Sequence, residues 1–232
     1  MEKNTLPKTI FIIADSALET IPLEIQHNDF IKKHALKKGK KSSQIILDSS
    51  NHYKAMNKLG ESKKRGRPDI IHFCLLNLLG SPLVLKNPYL VEVYIHTINN
   101  LIIEINPKTR LPRNFNRFLG LFEQLFNQQI IKSKDEILIQ IHKNKSIMDV
   151  VKEIPAENRF LFTSKGKEIK ILDFFKNYTN EDIGIIVGGF PHGSFSTNIL
   201  NNFPNKYSIF PESLDAWIAL NQIIYSRENT ID

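Results

Sequence analysis

Two short apolar runs place the strongest constraint on how this chain can fold. TIFIIAD occupies residues 9–15, and DIGIIVGGFPHGSF, residues 182–195, carries a second run into a glycine-rich loop. Short unbroken runs of apolar, mainly β-branched residues are typical of buried strands. Further strand candidates are SQIILD (43–48), EILIQIHK (136–143) and RFLFTSKG (159–166), the last with a glycine loop at its end.

Helical patterns lie between these strands. A basic helix is predicted over residues 26–38 and ends at Gly39. A second helix is predicted for PDIIHFCLLNLLGS, which begins with Pro68 and ends at Gly80; proline is common at the start of helices and glycine after their end. Shorter helices are predicted for HYKAMNKL and ILDFFKNY, and a C-terminal helix for LDAWIALNQIIYS, with Trp217 on its apolar face. Because strands and helices alternate, the sequence predicts an α/β fold.

A β-hairpin precedes the most unusual string of the sequence. VEVYIHT and LIIEINP flank Asn99 and Asn100, and a two-residue turn of this type joins antiparallel strands. TRLPRNFNRF follows directly. The stretch NFNRFLGLFEQLF carries apolar residues at helical spacing, so we expect a helix with Pro112 in its first turn.

Positive charge is concentrated in one segment. The net charge is +7, yet residues 32–67 hold twelve basic and two acidic side chains, while residues 68–232 hold seventeen of each. Localised cations suit a polyanion, because each neutralised phosphate releases counterions. The charge alone is equally compatible with a solvated loop, and we expect much of residues 37–67 to be mobile without a partner.

Cysteine, histidine and hydropathy patterns exclude several classes of protein. Cys74 is the one cysteine, so neither an internal disulfide nor a cysteine metal cage can form. It lies in the apolar run IIHFCLLNLL and is interpreted as a buried structural thiol. The histidines show no metal-ligand spacing. No apolar stretch reaches membrane-spanning length and MEKNTLPKT does not resemble a signal peptide, so we expect a soluble, intracellular protein.

Three arginines in TRLPRNFNRF raise a binding hypothesis. Arg113 and Arg117 are four residues apart and share a helix face, and Arg110 precedes the helix. Guanidinium groups hold phosphates in planar, bidentate contacts and stack on bases. The spacing leaves two interpretations open: an RNA or phosphate site, or surface ion pairs with Glu123 or Glu104.

The end of the basic segment carries a further arginine and a carboxylate. Arg67 lies directly before Pro68, and Asp69 falls in the first turn of the predicted helix. Asp69 can interact favourably with the helix dipole, hold an arginine in its working rotamer, or act as a general base.

The loop VGGFPHG, residues 187–193, is a weak signal for a nucleotide or adenosyl ligand. Its glycines allow the backbone to approach a ligand closely. It lacks the lysine and hydroxyl residue of a P-loop and the spacing of GxGxxG. His192 in this loop is interpreted as structural rather than catalytic.

Taken together, RPDIIH, YIHTINNLIIEINPKTRLPRNFNRFLGLFEQL, VGGFPHG and SIFP closely resemble one family. It is the small-subunit rRNA pseudouridine methyltransferases required for ribosome biogenesis, a SPOUT family of archaea and eukaryotes. The resemblance covers most of residues 8–226. It is strongest over residues 67–125 and weakest over residues 30–64 and 127–160.

The resemblance implies a mostly parallel sheet flanked by helices, with a C-terminal trefoil knot. It implies one SPOUT domain over residues 1–232, a basic insertion at 30–67 and a knotted cofactor-binding part at 155–232. S-adenosylmethionine is the implied cofactor and a homodimer the implied assembly. The implied reaction is methyl transfer to N(1) of a pseudouridine in small-subunit rRNA, and ribosomal assembly proteins are further candidate partners.

The resemblance also assigns residues. Those matching the rRNA-gripping arginines are Arg67, Arg110, Arg113 and Arg117, and Asp69 matches an acidic residue that stabilises one of them. The residues that match the cofactor site are Thr163, Gly188, Gly193, Tyr207, Ser208, Ile209, Phe210, Pro211 and Glu212. Glu212 departs from the family pattern, where an apolar residue is commoner. No general base is evident, because pairing with arginine makes Asp69 a poor one.

Three other functions stay open at this point. A non-catalytic, RNA-binding ribosome assembly factor would show the same arginines and basic segment, and only cofactor binding separates it from the enzyme. A SPOUT methyltransferase acting on another RNA would share the glycine loop but not TRLPRNFNRF. A nucleotide-binding protein that never contacts RNA leaves the arginines and the basic segment unexplained.

Overall fold

The computed structural model describes residues 7–231; residues 1–6, which form most of MEKNTLPKT, and Asp232 lie outside the described part. One eight-stranded sheet organises the fold, in the order β4-β5-β3-β2-β1-β7-β6-β8. The strands are β1 Thr9–Ser16, β2 Val91–Thr97, β3 Ile102–Ile105, β4 Ile130–Ser133, β5 Glu136–His142, β6 Arg159–Glu168, β7 Ile183–Gly188 and β8 Lys206–Ser208.

The two predicted buried runs form neighbouring strands at the centre of this sheet. β1 pairs in parallel with both β2 and β7, so that Phe11 lies between Val93 and Ile185. β6 adds parallel pairings to β7 and β8, while β2, β3, β5 and β4 pair antiparallel. The mostly parallel α/β sheet and the β2–β3 hairpin are therefore confirmed, and the knot stays a prediction.

Helices cover both faces of the sheet. Phe11 and Ile13 of β1 face a large apolar cluster, whereas Ile10 and Ile12 face a second cluster on the opposite side, as alternation along a strand requires. The helices are α1 Asp29–Lys37, α2 Ser49–Met56, α3 Pro68–Leu79, α4 Pro82–Lys86, α5 Phe115–Gln128, α6 Ile147–Val150, α7 Ile171–Phe174, α8 Thr197–Asn202 and α9 Ala216–Glu228. Helices α3, α5 and α9 contribute to the first cluster, α6 and α8 to the second.

The basic segment is folded, so the expectation of a mobile stretch over residues 37–67 is wrong. Helices α1 and α2 pack around a third, smaller apolar cluster that includes Ile31, Ile45 and Leu47. Glu123 of α5, which is only 3% exposed, anchors the basic segment. The ammonium groups of Lys38 and Lys40 lie 2.8 and 2.7 Å from its carboxylate oxygens. Widely spaced apolar residues among the lysines therefore build a small core that overall polarity conceals.

Three local predictions need correction. SQIILD is not a strand: Ser42–Gln44 form a 3₁₀ turn and Ile46 makes a single bridge to Thr20, because its apolar residues pack into the clusters. Pro112 lies outside α5, which starts at Phe115 behind Asn114 as N-cap. The glycine of RFLFTSKG, Gly166, lies within β6 rather than after it.

Cys74 is fully buried in α3, and burial raises the pKa of its thiol, which confirms its structural interpretation. Across residues 7–231, every helix is too short or too polar to cross a membrane.

Two histidines give the basic segment a predicted sensitivity to acid. The Asp48 amide donates to Nδ1 of buried His52 (3.0 Å), so His52 Nε2 carries the proton and donates to Nδ1 of His34 (2.8 Å). Burial lowers the pKa of His52 from 6.5 to about 4 and lowers that of His34 as well. Below pH 6.5 the unfolded chain therefore binds protons that the folded chain does not, and the free energy of unfolding decreases as the pH is lowered.

We expect the free energy of unfolding to lose about 2 kcal/mol from His52 alone between pH 7 and pH 5. Urea denaturation at both pH values measures this loss, and His52→Gln should reduce it by that amount. The control is His27→Gln, because His27 is exposed two residues before α1. An equal loss in all three proteins would contradict the assignment to His52.

Candidate functional site

A cavity of 540 Å³ opens at the carboxyl ends of β6 and β7, where open parallel sheets bind their ligands. Three segments wall it: residues 162–165 of β6, residues 187–195 after β7, and residues 206–214 around β8. The pairing of β6 with β8 shifts register between Phe162 and Lys167, so the intervening residues bulge out of the ladder toward the cavity. Thr163 lies in this bulge.

Glycines make the cavity possible at specific points. Gly193 has a φ of +98°, a conformation that side-chain-bearing residues rarely adopt. A Cβ at Gly188 would lie 2.9 Å from the ring of Phe190, and one at Gly166 would lie 2.5 Å from the backbone of Tyr207. Gly166 was not among the predicted site residues, because its role is a close approach of two strands that has no sequence signature.

The segment predicted to wrap the adenosyl group does border the cavity. Tyr207 through Glu212 line it, except Pro211. The ring of Tyr207 packs against Phe174 at a centroid distance of 4.8 Å, and Ser208 Oγ donates to the Phe210 carbonyl at 2.6 Å. These side chains are engaged within the protein, which leaves backbone groups to face a ligand.

The cavity also has an apolar wall whose residues could not be predicted from the sequence. Its residues come from all three segments, from α8 and from the start of α9: Phe162, Val187, Phe190, Phe195, Leu200, Leu214, Ala216 and Ala219. Nothing in their spacing separates them from core residues, since each also belongs to a strand, a helix or an adjoining turn. Within residues 7–231, histidine, cysteine and carboxylate side chains form no group of three suited to a metal ion.

The three arginines of TRLPRNFNRF lie on the surface of the protein. Arg110, Arg113 and Arg117 are all exposed, and no carboxylate of residues 7–231 lies within ion-pair distance of them. The proposed partners are engaged elsewhere, Glu123 with lysines and Glu104 with His142 at 2.8 Å. The ion-pair interpretation is therefore wrong, and the guanidinium groups face solvent.

The segment that carries these arginines is held from below. Nε2 of His72, on α3, lies 2.8 Å from the Pro112 carbonyl oxygen, and its ring stacks on Phe118 at 4.3 Å. Thr109 Oγ1 donates to the Leu138 carbonyl at 3.0 Å. The Asn114 side chain caps α5 by accepting from the Arg117 amide at 3.1 Å. The backbone is thereby fixed while the arginine side chains stay free.

Arg67 and Asp69 form a bidentate ion pair. Arg67 Nε and Nη2 donate to the two carboxylate oxygens of Asp69 at 2.8 and 2.7 Å. This hydrogen bonding raises the pKa of Arg67. Both carboxylate oxygens are engaged, so the geometry favours Asp69 as the residue that orients an arginine over Asp69 as a general base.

A second cavity of 660 Å³ adjoins the first. Its walls include Tyr53, Lys63, Arg65 and Arg67 from the basic segment. Pro191 and His192 line both cavities. His192 is exposed at this boundary, so its interpretation as a structural residue finds no support in burial.

Part of the positive charge of the basic segment serves the fold. Five of its twelve basic side chains, namely Lys38, Lys40, Lys64, Arg65 and Arg67, form ion pairs. Their carboxylate partners are Glu123, Asp15, Glu19 and Asp69, all outside residues 32–67. The charge available to a polyanion is therefore well below the excess that the sequence suggests.

These features define the class: an α/β protein with a glycine-lined ligand cavity at the carboxyl ends of parallel strands and an exposed arginine surface. A family model described as "EMG1/NEP1 methyltransferase" matches residues 11–228. The chain belongs to this family.

Relatives with established names are similar over nearly their full length. Ribosomal RNA small subunit methyltransferase Nep1 from Thermococcus sibiricus is 41% identical over 222 residues, covering 95% of this chain and 97% of the relative. Nep1 from Pyrococcus furiosus is 39% identical over 223 residues, covering 94% and 95%. The crystal structure of Archaeoglobus fulgidus Nep1 bound to S-adenosylhomocysteine is 35% identical, with a TM-score of 0.85 and coverage of 97% and 99%.

The close approach at Gly166 generates a stability prediction. Gly166→Ala places a methyl group against the Tyr207 backbone, and we expect it to lower the free energy of unfolding by about 2 kcal/mol. Gly60→Ala is the matched control, because a Cβ at Gly60 has no atom within 4 Å, and it should change stability by less than about 0.5 kcal/mol. Urea denaturation measures both, and equal effects would contradict the packing argument.

Proposed function

We propose that this protein transfers a methyl group from S-adenosylmethionine to N(1) of a pseudouridine in small-subunit rRNA. The observation that carries the proposal is the position of the two cavities, which share Pro191 and His192. One has the walls of a cofactor site and the other carries the arginine that Asp69 orients. The Nep1 relatives are named as small-subunit rRNA methyltransferases, and the Archaeoglobus fulgidus structure holds S-adenosylhomocysteine; both support the same assignment.

The cavity residues fit the cofactor. Its volume of 540 Å³ suits a ligand of nucleoside size, and its apolar wall and free backbone suit an adenine ring. We propose contacts from the residues that the resemblance assigned and that line the cavity: Thr163, Gly188, Gly193, Tyr207, Ser208, Ile209, Phe210 and Glu212. Residues 155–232 would then be the cofactor-binding part of one domain.

The chain's own contribution to the reaction is to orient the pseudouridine and to stabilise the charge that develops on its ring. The cofactor supplies a methyl group on a positively charged sulfur. Pseudouridine must leave the base stack, and we propose that it enters the second cavity, between Arg67 and the loop at His192. An arginine there stabilises the negative charge that develops as N(1) loses its proton. Arg110, Arg113 and Arg117 hold the flanking phosphates, and the unpaired lysines of the basic segment strengthen this attraction.

We also propose that two copies of the chain form a homodimer. An exposed apolar face combines α3, α4 and α9, with Phe73 47%, Leu85 68%, Ile218 41% and Tyr225 61% exposed. Contiguous exposed apolar side chains of this kind mark interaction sites. Light scattering at micromolar concentration should give twice the chain mass, and Ile218→Glu should give a monomer.

The cytoplasm, or the nucleolus of a eukaryote, is the proposed place of action.

The test of the proposed function is methyl transfer to two matched rRNA hairpins. One hairpin carries pseudouridine at the loop position and the other uridine, which lacks the reactive N(1)–H. With radiolabelled S-adenosylmethionine, we expect label on the pseudouridine hairpin alone. Label on neither hairpin, together with tight hairpin binding and no cofactor binding, would favour a non-catalytic assembly factor. Equal label on both would indicate a different methyltransferase.

The arginine surface gives a separate prediction. Arg113→Ala should weaken binding of the hairpin about tenfold, because one charge-assisted contact to phosphate is lost. Binding of S-adenosylhomocysteine should not change, since Arg113 lies outside the cofactor cavity. Lys152→Ala is the control, because Lys152 follows α6 on the opposite face of the sheet. Fluorescence anisotropy and calorimetry measure the two affinities, and equal loss of both would contradict this division.

A further inference from the structure

A buried ion pair joins the basic segment to the loop that walls the cofactor cavity. Lys64 and Asp15 are 6% and 3% exposed, and their charged atoms lie 3.0 Å apart. The Lys64 ammonium group also donates to the Ser194 carbonyl at 2.9 Å and lies 4.5 Å from the centre of the Phe190 ring. Ser194 and Phe190 both line the cofactor cavity. One lysine of the basic segment therefore reaches the underside of the cofactor loop.

Asp15 fastens the same loop from the sheet. It is the penultimate residue of the central strand β1 and has a φ of +49°, a conformation that is uncommon for residues other than glycine. Its carboxylate accepts from the Ser196 amide at 2.5 Å and from Ser196 Oγ at 3.1 Å. Ser196 is the N-cap of α8, which follows the loop. The loop is thus held at Ser194 by Lys64 and at Ser196 by Asp15.

The other end of this connection is the RNA-facing arginine. Arg65 forms a bidentate pair with Glu19, at 2.7 and 2.6 Å. Gly66 has a φ of +67°, and a Cβ there would lie 2.8 Å from Met56. Arg67 then donates to Asp69. Each of the four residues 64–67 is fixed by its own contact, so the segment has little freedom to absorb a movement of the cofactor loop.

Stability alone does not account for the Lys64–Asp15 pair. Removing two charges from water costs several kcal/mol for each ion, and apolar residues of similar size often stabilise a protein as well or better. A strained, buried and charged junction next to a ligand cavity is typical of a functional site. The Lys64–Asp15 pair lies between the two cavities: Lys64 contacts the loop of the cofactor cavity and is three residues before Arg67, which lines the second cavity.

We propose that Lys64 is a positioning residue that couples the two ligands of the proposed methyltransferase, so that each raises the affinity for the other. The inference rests on the proposed function. Cofactor in its cavity fixes Phe190 and Ser194, which fixes Lys64 and, through residues 65–66, the backbone of Arg67. RNA held by Arg67 fixes the same contacts from the other side. Coupling of this kind is reciprocal, because it is one free energy shared by two binding equilibria.

The experiment measures S-adenosylhomocysteine affinity by calorimetry, with and without a saturating amount of the pseudouridine hairpin. For the unaltered protein we expect the hairpin to raise the affinity about tenfold, within the usual range for coupled sites. Lys64→Met should reduce this factor to about one. Lys64→Arg should restore part of it, because a cation again reaches Asp15 and the loop.

Two further variants separate coupling from simple stability. Lys58→Met removes one exposed charge from the same segment, and it should weaken hairpin binding slightly while leaving the coupling factor unchanged. Ser196→Ala keeps both charges but removes one hydrogen bond to Asp15, and it should lower the factor. This variant also serves if Lys64→Met does not fold.

The outcomes distinguish this inference from the proposed function. A coupling factor that stays near tenfold in Lys64→Met or Ser196→Ala would overturn the role of Lys64. An unaltered protein that methylates the hairpin but shows no coupling would overturn the inference and leave the proposed function intact. Failure of the unaltered protein to bind S-adenosylhomocysteine would overturn both.

Discussion

Three buried carboxylates determine how this molecule is assembled. Asp15, Glu19 and Glu123 are each at most 3% exposed, and a buried carboxylate is stable only with a cation and hydrogen bonds beside it. The basic segment provides those cations through Lys64, Arg65, Lys38 and Lys40. Its docking on the sheet layer then fixes Arg67 next to the second cavity. Both candidate sites therefore depend on charge neutralisation beneath the surface.

The two cavities divide the proposed work between different kinds of structure. The cofactor cavity is made from strand ends, glycines and backbone, which hold their shape without help from long side chains. The proposed RNA surface is made from long, charged side chains on a braced backbone, with His72 and Asn114 beneath them. A rigid cavity suits a small ligand of fixed shape, whereas free arginines suit a flexible polyanion. The loop at Pro191 and His192 lines both cavities and is the proposed meeting point of the two substrates.

Much of the framework could be predicted from the sequence. The apolar runs located β1 and β7, the Asn99–Asn100 turn located the hairpin, and TRLPRNFNRF located the exposed arginines. Short elements such as β4, α6 and α8 were missed, because a few residues carry too little periodicity. The failures share a physical cause, which is contact with residues that are distant in sequence. SQIILD has the pattern of a strand, but its apolar residues pack into the clusters. The nearby lysines have the pattern of solvated side chains, but they pair with the distant Glu123. Gly166 and Lys64 likewise acquire their roles from contacts with Tyr207 and Asp15, which are remote in sequence.

The three unpaired arginines have a consequence for selectivity inside a cell rich in small anions. Arg110, Arg113 and Arg117 stand ready for any phosphate, and a free nucleotide or inorganic phosphate can occupy them one at a time. A single contact of this kind is weak in water. An RNA strand presents its phosphates already linked at a fixed spacing, so that after the first contact the others form at high effective concentration. As the proposed RNA surface, these arginines would discriminate by multivalency: monomeric anions would dissociate quickly, and a strand whose phosphates match their spacing would be retained.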